Sequence, residues 1–295
     1  MKIKGFHIEA STYCNARCPG CPRNVYGFNP KGFVKQQHLS PVSYRKIREK
    51  YQIEYVRING GLGDPMMNPD IVEIVNIGNV HTTITTNGSL GRRNTFESLA
   101  KTANIEFSID GLEDTNHLYR QDLSWKNIME RVDWFIGAGG YAIWKWVPFK
   151  HNHHQLEEAK KLSQQLGFKD FIIADQGRND MPALDKEGNI SHWIQPHDAP
   201  AIATMSDPKA AIADAVKHRQ FFSEEGKRFD IWRCEHLAGE VYITAYADVT
   251  PCCYHGTVIG NRKIVPVEDF EMLRASWSTN NCDPTCANNC GRPLD

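Results

Sequence analysis

Cys14-Asn15-Ala16-Arg17-Cys18-Pro19-Gly20-Cys21 places three thiols within eight residues, in the spacing C-x3-C-x2-C, directly after a segment that predicts an opening strand. A cubane [4Fe–4S] cluster is usually held by four cysteines. Three thiolates can therefore hold three of its corners and leave the fourth iron open to a ligand that is not protein. The stretch predicts an iron–sulfur centre with an open coordination position.

A zinc site is the alternative interpretation of this stretch. Structural zinc usually has four ligands, often in paired C-x2-C units. Here the first group has three thiols, the next cysteine along the chain is Cys234, and the next histidine is His38. The ligand pattern therefore favours iron–sulfur over zinc.

Length and charge exclude several classes of protein. A chain of 295 residues can bury one large core, or one core with a small appendage. The 34 basic and 35 acidic residues nearly balance, so no surface for nucleic acid or anionic membrane is indicated. The sequence has no apolar run near the ~20 residues of a membrane span and no signal peptide at its start. We therefore expect a cytoplasmic protein, with no membrane partner and no evident nucleic-acid partner.

The nine cysteines fall into two regions. Three lie at 14–21, none between 22 and 233, and six at 234–290. In a reducing compartment, clustered cysteines are better interpreted as metal ligands than as disulfides. The distribution predicts two metal centres in two parts of the chain.

The first two-thirds of the chain alternate strand and helix patterns. Strands are predicted at 3–9, 54–59, 82–86, 105–109, 141–147 and 170–174, and helices at 41–51, 70–77, 94–103, 125–138 and 153–166. Ser40-Pro41 is a typical cap for the first helix. Six β/α units in series predict a parallel sheet with right-handed crossovers. Residues 175–208 predict a long connector, and 210–225 a further helix.

Polar and glycine-rich motifs follow the predicted strands. Gly60–Pro65 follows the second strand, Thr86-Asn87-Gly88 the third, and Ser108-Ile109-Asp110-Gly111 the end of the fourth. Sites in such folds gather at the carboxyl ends of the strands. These motifs are therefore expected to meet the cysteine loop in one site.

These features resemble the radical S-adenosylmethionine (SAM) superfamily, whose hallmark is C-x3-C-x2-C after the first barrel strand, and the resemblance covers nearly the whole chain. It implies an α/β fold, a partial (β/α)6 TIM-like barrel, with a [4Fe–4S] cluster on Cys14, Cys18 and Cys21. SAM would chelate the open iron and be cleaved to a 5′-deoxyadenosyl radical that abstracts hydrogen from a substrate. The cofactors would thus carry out the radical chemistry, and the protein would bind and orient them. A flavodoxin- or ferredoxin-type reductant is the implied partner.

The resemblance also implies SAM-binding residues. They are Gly60, Gly61, Gly63, Asp64, Asn87, Ser108, Asp110 and Arg120. Glycines allow close backbone approach, and a guanidinium suits the SAM carboxylate. The loop departs from the usual G-G-E-P by an inserted Leu62-Gly63 and by Asp64, so the alternative interpretation of this loop is a plain turn. The alternative interpretation of Arg120 is a solvated charge at a helix entry. Gly20 stands where the family usually has an aromatic residue near the adenine.

The second cysteine region resembles the SPASM/twitch domains of radical SAM enzymes, which carry auxiliary [4Fe–4S] clusters. We expect the barrel at 1–225 and this domain at 226–295, with a hairpin strand at 241–244 and a helix at 266–276. Candidate ligands are Cys234, Cys252, Cys282, Cys286 and Cys290. Six cysteines are too few for two clusters, so one is expected, held by the first two and two of the last three, preferably Cys286 and Cys290. Cys253 is expected on the opposite face of a strand as a small buried residue. A zinc ribbon using His236 or His255 is the alternative.

A closed auxiliary cluster would conduct or accept electrons, which predicts a net oxidation or modification of the substrate. Glu9 and Asp175 are candidate acid–base groups, and His7, Trp144 and Trp146 candidate pocket walls, although core packing explains each as well. No catalytic residue is assigned beyond these.

The substrate class remains open at this point. The chain begins directly at its first strand, which slightly favours a small-molecule or nucleoside-like substrate; a peptide-modifying maturase is the alternative. A non-catalytic iron–sulfur electron carrier or sensor is the alternative from another class. The SAM-facing motifs argue against it, because a carrier does not need an open iron.

Overall fold

The computed structural model describes residues 3–28, 34–174, 180–197, 228–231, 234, 236–256, 265–275, 283, 286 and 290–294. Its strands are β1 (Gly5–Ile8), β2 (Tyr55–Asn59), β3 (His81–Thr86), β4 (Asn104–Ser108), β5 (Tyr141–Trp146), β6 (Asp170–Ile173), β7 (Met181–Leu184), β8 (Ile190–Ile194), β9 (Arg228–Ile231), β10 (Glu240–Ile243), β11 (Val249–Thr250) and β12 (Gly291–Leu294). The helices are α1 (Pro41–Arg48), α2 (Ile71–Asn76), α3 (Arg93–Leu99), α4 (Asn116–Tyr119), α5 (Trp125–Gly137), α6 (Leu156–Leu166), α7 (Cys253–Gly256) and α8 (Phe270–Ala275).

A mostly parallel sheet of eight strands forms the centre of the fold, in the order β11-β10-β1-β2-β3-β4-β5-β6. All neighbours pair in parallel except β10 and β11. Within the described residues the two end strands do not pair with each other, so the barrel is partial. This confirms the predicted α/β fold class with a partial TIM-like barrel.

Local sequence explains several element boundaries. The Ser40 hydroxyl accepts a hydrogen bond from the Ser43 amide (3.1 Å), which caps α1 as predicted. Gly167 ends α6 in the left-handed conformation that glycine adopts readily (φ 90°). β1 is buried along its whole length, as expected of a strand inside a parallel sheet.

The hairpin β10–β11 belongs to the main sheet, because β10 pairs in parallel with β1 and aligns Glu240 with Gly5. Gly5 in turn aligns with Tyr55 of β2. A Cβ on Gly5 would lie 2.2 Å from the Tyr55 ring, so this glycine lets the ring lie over β1. The Tyr55 hydroxyl then reaches Glu240 (3.1 Å), and Arg57 forms an ion pair with it. The division into domains at residue 225 stays a prediction.

The predicted connector at 175–208 is partly wrong, because β7 and β8 form an antiparallel hairpin within it. Its turn is built by Asp185, whose Oδ1 accepts from the amides of Glu187 (3.0 Å) and Asn189 (2.8 Å), and by Gly188 at φ 89°. This Asp-x-x-Gly turn between two apolar segments was the available sequence signal. The helix predicted at 210–225 lies outside the described residues. The one at 266–276 is present as the 3-10 turn Val267–Asp269 followed by α8.

Among the described residues, none of the helices combines the length and the hydropathy that a membrane span requires.

Candidate functional site

The three cysteines of the first loop line one cavity of about 210 Å³ at the carboxyl ends of β2, β3 and β4. Other residues of its lining include Gly60, Gly63, Asp64, Asn87, Ser108 and Arg120. Six of the eight residues for which SAM contacts were predicted therefore border the cavity beside the three cysteines. Gly61 and Asp110 do not border it.

The donor set of the cavity fits an iron–sulfur cluster. Burial, together with the charges of Asp64 and Cys18, raises the pKa of the Cys14 thiol well above its ordinary range. A buried thiolate therefore needs a cation, which a cluster supplies. The side-chain nitrogen Nδ2 of Asn87 lies 3.8 Å from Cys14 Sγ, and Arg120 Nη1 lies 3.7 Å from Cys18 Sγ. Such donors are the groups that stabilise cluster sulfurs.

The same loop also contains a buried side-chain amide, that of Asn24. Asn24 is fully buried, and neither its Oδ1 nor its Nδ2 has a hydrogen-bond partner among the described residues. An unsatisfied buried amide costs about 1–3 kcal/mol. A polar group bound next to this loop would offset that cost.

Asp110 orients Arg120. Its Oδ2 accepts a hydrogen bond from Arg120 Nε (2.7 Å), and its Oδ1 accepts one from the Val147 amide (2.7 Å). The carboxylate is completely buried between these two donors. Its geometry is that of a positioning residue for Arg120, while the direct contact with SAM stays a prediction.

Asp64 connects the glycine-rich loop to the end of β3. Its Oδ1 accepts from the Met66 amide (2.9 Å) and caps the 3-10 turn Pro65–Met67, and its Oδ2 accepts from the Asn87 amide (2.7 Å). Burial raises the pKa of Asp64, against the effect of these hydrogen bonds. The Asn87 side chain continues the connection by donating to Asn15 Oδ1 (2.9 Å) in the cysteine loop.

The glycines of this loop allow close packing of backbone on backbone. A Cβ on Gly63 would lie 2.1 Å from the Ser11 carbonyl oxygen and 2.6 Å from that of Tyr13. The Asp64 amide donates to the Tyr13 oxygen at 2.8 Å. The loop therefore packs directly against the chain that leads from β1 to Cys14.

Glu9 holds this loop from beneath. Its carboxyl accepts hydrogen bonds from the amides of Leu62 (2.8 Å) and Gly63 (3.2 Å) and from the Tyr242 hydroxyl of β10 (2.8 Å). Glu9 is only 2% exposed, and this burial raises its pKa to about 8. The sequence suggested an acid–base role, whereas the contacts make Glu9 a positioning residue. No local signal identified its partner Tyr242.

An aromatic wall of the cavity is supplied by Tyr119, which sequence reasoning missed. Its ring packs 4.6 Å from that of Phe149, and the Arg120 guanidinium lies 5.4 Å from its centre. The expected pocket walls Trp144 and Trp146 are wrong, since both lie in the hydrophobic core and neither borders this cavity. The indole of Trp144 donates to the Ile109 carbonyl (3.0 Å).

A row of polar side chains crosses strands β2 to β5 beside the cavity. Thr85 Oγ1 lies 2.7 Å from Asn59 Oδ1 and 2.8 Å from Glu106 Oε2, and Lys145 Nζ donates to the same Glu106 oxygen (3.0 Å). Asn59 and Thr85 also line the cavity. The available signal was the alternation of these residues with buried apolar ones, in strands that would otherwise be apolar on both faces.

Among the described residues, Cys234 and Cys290 lie near Cys252, which directly precedes α7, and Cys286 lies near His255 of α7. Burial raises the pKa of Cys252 to about 12, and the neighbouring charges of Cys290 and Cys234 contribute to the increase. Cys286 is also buried. Cys282 lies outside the described residues, as does the candidate acid–base residue Asp175. The expectation for Cys253 is wrong: it begins α7 and is half-buried, because the strand ends at Thr250 and the strand alternation ends with it.

Comparisons with known proteins agree on one fold. A family model described as the radical SAM superfamily matches residues 8–162. SuiB of Streptococcus suis bound to S-adenosylmethionine is similar at a TM-score of 0.61 and 17% identity, over 97% of this chain and 67% of that one. SuiB bound to precursor peptide SuiA is similar at a TM-score of 0.59 and 16% identity, over 94% of this chain and 65% of that one. The protein anSMEcpe with bound AdoMet and the Cp18Cys peptide is similar at a TM-score of 0.53 and 13% identity, over 94% of this chain and 81% of that one. At these identities the likeness shows the fold. No curated protein matches the sequence.

The substitution Gly63→Ala is expected to weaken SAM binding about tenfold or more, because the new methyl group meets two backbone oxygens and displaces the loop. Equilibrium binding of SAM to anaerobic, iron-loaded protein measures the effect. Gly137→Ala in α5 is the matched control, since no atom lies within 4 Å of its added Cβ. Equal SAM affinity in the two variants would contradict the assignment of the loop.

The substitution Glu9→Gln is expected to change how stability depends on pH. Because folding raises the pKa of Glu9 from 4.5 to about 8, the stability it contributes is complete below about pH 4.5 and is lost as the pH rises through about 8. Glutamine does not ionise, so the variant should gain stability relative to wild type between about pH 5 and 9.

Unfolding midpoints of both proteins across this pH range test the expectation for Glu9. Glu157→Gln, at an exposed position of α6, is the control and should follow wild type at every pH. A difference between Glu9→Gln and wild type that stays constant with pH would show that Glu9 does not titrate as described.

Proposed function

Because this chain belongs to the radical SAM superfamily and is therefore an enzyme, we propose that Cys14, Cys18 and Cys21 hold its [4Fe–4S] cluster and that the adjoining cavity binds S-adenosylmethionine. The observation that carries this proposal is the meeting of the three thiols with Asn87 and Arg120 in one cavity. With SAM on its open iron, such a cluster supplies a 5′-deoxyadenosyl radical that abstracts hydrogen from a substrate.

The residues around the cavity orient the cofactor. Arg120, held by Asp110, presents a guanidinium to the SAM carboxylate. Gly60 and Gly63 allow the loop backbone to approach the ligand. Tyr119 supplies an aromatic surface that Gly20 does not provide. Arg120, Gly60, Gly63 and Tyr119 all border the cavity, and Asp110 acts through Arg120.

The polar row beside the cavity is proposed as the substrate site. Lys145 and Glu106 form an ion pair with side chains 34% and 18% exposed, so they remain accessible to a ligand. A substrate that loses a hydrogen atom and then an electron must also release a proton. The Lys145–Glu106 pair is the proposed acceptor of that proton, and the row formed by Asn59 and Thr85 fixes its position.

An auxiliary [4Fe–4S] cluster is proposed for the C-terminal region, where it would accept the substrate electron. The proximity of Cys234, Cys252 and Cys290 supports it, with a fourth thiol from Cys282 or Cys286. The proposed reaction is therefore a net oxidation or modification. A flavodoxin- or ferredoxin-type protein would supply the electron for SAM cleavage.

A peptide is the proposed substrate class. The support is that structures with this fold have been determined with the precursor peptide SuiA and with the Cp18Cys peptide. A small polar molecule is the second candidate, favoured by the charged pair in the polar row.

The combined substitution of Cys14, Cys18 and Cys21 by alanine is expected to remove about four irons per chain and to reduce 5′-deoxyadenosine formation to background. Anaerobic reconstitution, reduction with dithionite and incubation with SAM measure both quantities. Cys253→Ala is the matched control, since this half-buried cysteine is not among the proposed ligands. Full SAM cleavage by the triple variant would refute the proposed function.

Hydrogen transfer identifies the substrate class. Peptides and small molecules from cells grown in deuterated water are supplied separately, and deuterium in 5′-deoxyadenosine is measured by mass spectrometry. We expect deuterium transfer with the peptide fraction, and its loss in Lys145→Met, which still cleaves SAM without substrate. Transfer from the small-molecule fraction alone would overturn the peptide assignment. Unchanged transfer in Lys145→Met would overturn the substrate site.

A further inference from the structure

Three side chains that commonly bind metals meet in the C-terminal region, away from the first cysteine loop. His255 Nε2 of α7 lies 3.5 Å from Cys286 Sγ and 3.8 Å from Asp283 Oδ1. All three ligand atoms lie within 4.8 Å of one another. His255 is 2% exposed and Cys286 8%, so the group is largely shielded from solvent.

These distances fit ligands of a single ion. Zinc binds sulfur at about 2.3 Å and nitrogen or oxygen at about 2.0–2.2 Å, so two ligands on one tetrahedral ion lie about 3.4–3.6 Å apart. The separations of 3.5 and 3.8 Å are close to this value. Ligands of a cubane bind different irons and are therefore farther apart. We propose that His255, Asp283 and Cys286 bind one Zn²⁺ ion at a site separate from the auxiliary cluster.

The number of C-terminal cysteines is consistent with a zinc site and a separate auxiliary cluster. This step rests on the auxiliary cluster of the proposed function. If zinc takes Cys286, the remaining candidates are Cys234, Cys252, Cys282 and Cys290. Four thiolates are the usual complement of a [4Fe–4S] cluster. Both centres are then fully supplied with cysteine, and Cys253 is still not required.

The backbone holds the three ligands in position. The His255 amide donates to the Cys252 carbonyl (3.2 Å), and its own carbonyl accepts from Val265 (3.1 Å). Asp283 Oδ1 accepts from the Cys286 amide (3.3 Å), which fixes these two ligands relative to each other. An ion at this point would join the turn after β11 to the C-terminal segment. Its role is therefore structural, and the fourth tetrahedral position is left for water or another donor.

The test uses full-length protein carrying its complete iron complement, because zinc also occupies empty cysteine sites. Zn²⁺ is added, excess metal is removed, and both metals are counted by mass spectrometry. We expect about one zinc per chain. His255→Gln and Asp283→Asn should each lower zinc occupancy about tenfold or more at the same free zinc, with iron unchanged.

His236→Gln is the matched control. His236 is also buried nearby, but its ring packs 4.0 Å from Phe270 and its Nδ1 contacts the Glu240 carbonyl (3.2 Å). This variant should keep its zinc. Asp283, with its side chain 25% exposed, provides a variant that tests the site if His255→Gln fails to fold.

X-ray absorption at the zinc edge gives a readout independent of activity. The proposal expects one sulfur at about 2.3 Å and the other ligands at about 2.0–2.2 Å. Four sulfur ligands at the zinc would overturn the proposal. So would unchanged zinc content in both His255→Gln and Asp283→Asn. An equal loss of iron in Cys286→Ser and Cys290→Ser would also overturn it. Wild-type protein that binds zinc but does not cleave SAM would instead count against the proposed function.

Discussion

The carboxyl group of Glu9 is the contact on which the candidate site depends. One buried side chain at the end of β1 binds the loop after β2 and the Tyr242 hydroxyl of β10. Without it, the amides of Leu62 and Gly63 would lose these hydrogen bonds, and leaving buried amides unpaired is costly. Glu9 lies five residues before Cys14. Glu9 therefore links the chain that leads to the cysteine loop, the glycine-rich loop and the C-terminal hairpin.

Glu9, Asp64 and Asp110 follow the same rule. Each lies in a region where sequence reasoning expected ligand contact or proton transfer, and each is bound by protein donors. The strand ends of a parallel sheet leave backbone N–H groups unpaired, and a buried carboxylate satisfies several of them at once. Gly63, Asn87 and Arg120, which these carboxylates hold, all border the cavity, and so does Asp64 itself.

Local sequence patterns were sufficient to predict strands β1 to β6, the cap of α1 and the cysteine loop. Contacts that join distant segments were not predictable from them. Nothing near Glu240 indicates that it pairs with Arg57, 183 residues away, or that β10 lies beside β1. Lys145 and Glu106 likewise lie on separate strands, and only the fold brings them together. Sequence patterns report the face of a strand but not which strand is its neighbour.

β11 directs the chain away from the strand end that leads to the first cysteine loop. β10 runs parallel to β1, whose end leads to Cys14, whereas β11 returns antiparallel and carries the chain back to Cys252. β11 has two residues, which pair with Tyr242 and Ile243, so Cys252 follows a short return along β10. The polar row on β2 to β5 begins at the cavity beside the three cysteines. In the sheet order the polar row on β2 to β5 and the hairpin β10–β11 lie on opposite sides of β1. The cysteine loop that follows β1 therefore lies between the proposed substrate site and the hairpin that leads to the proposed electron acceptor.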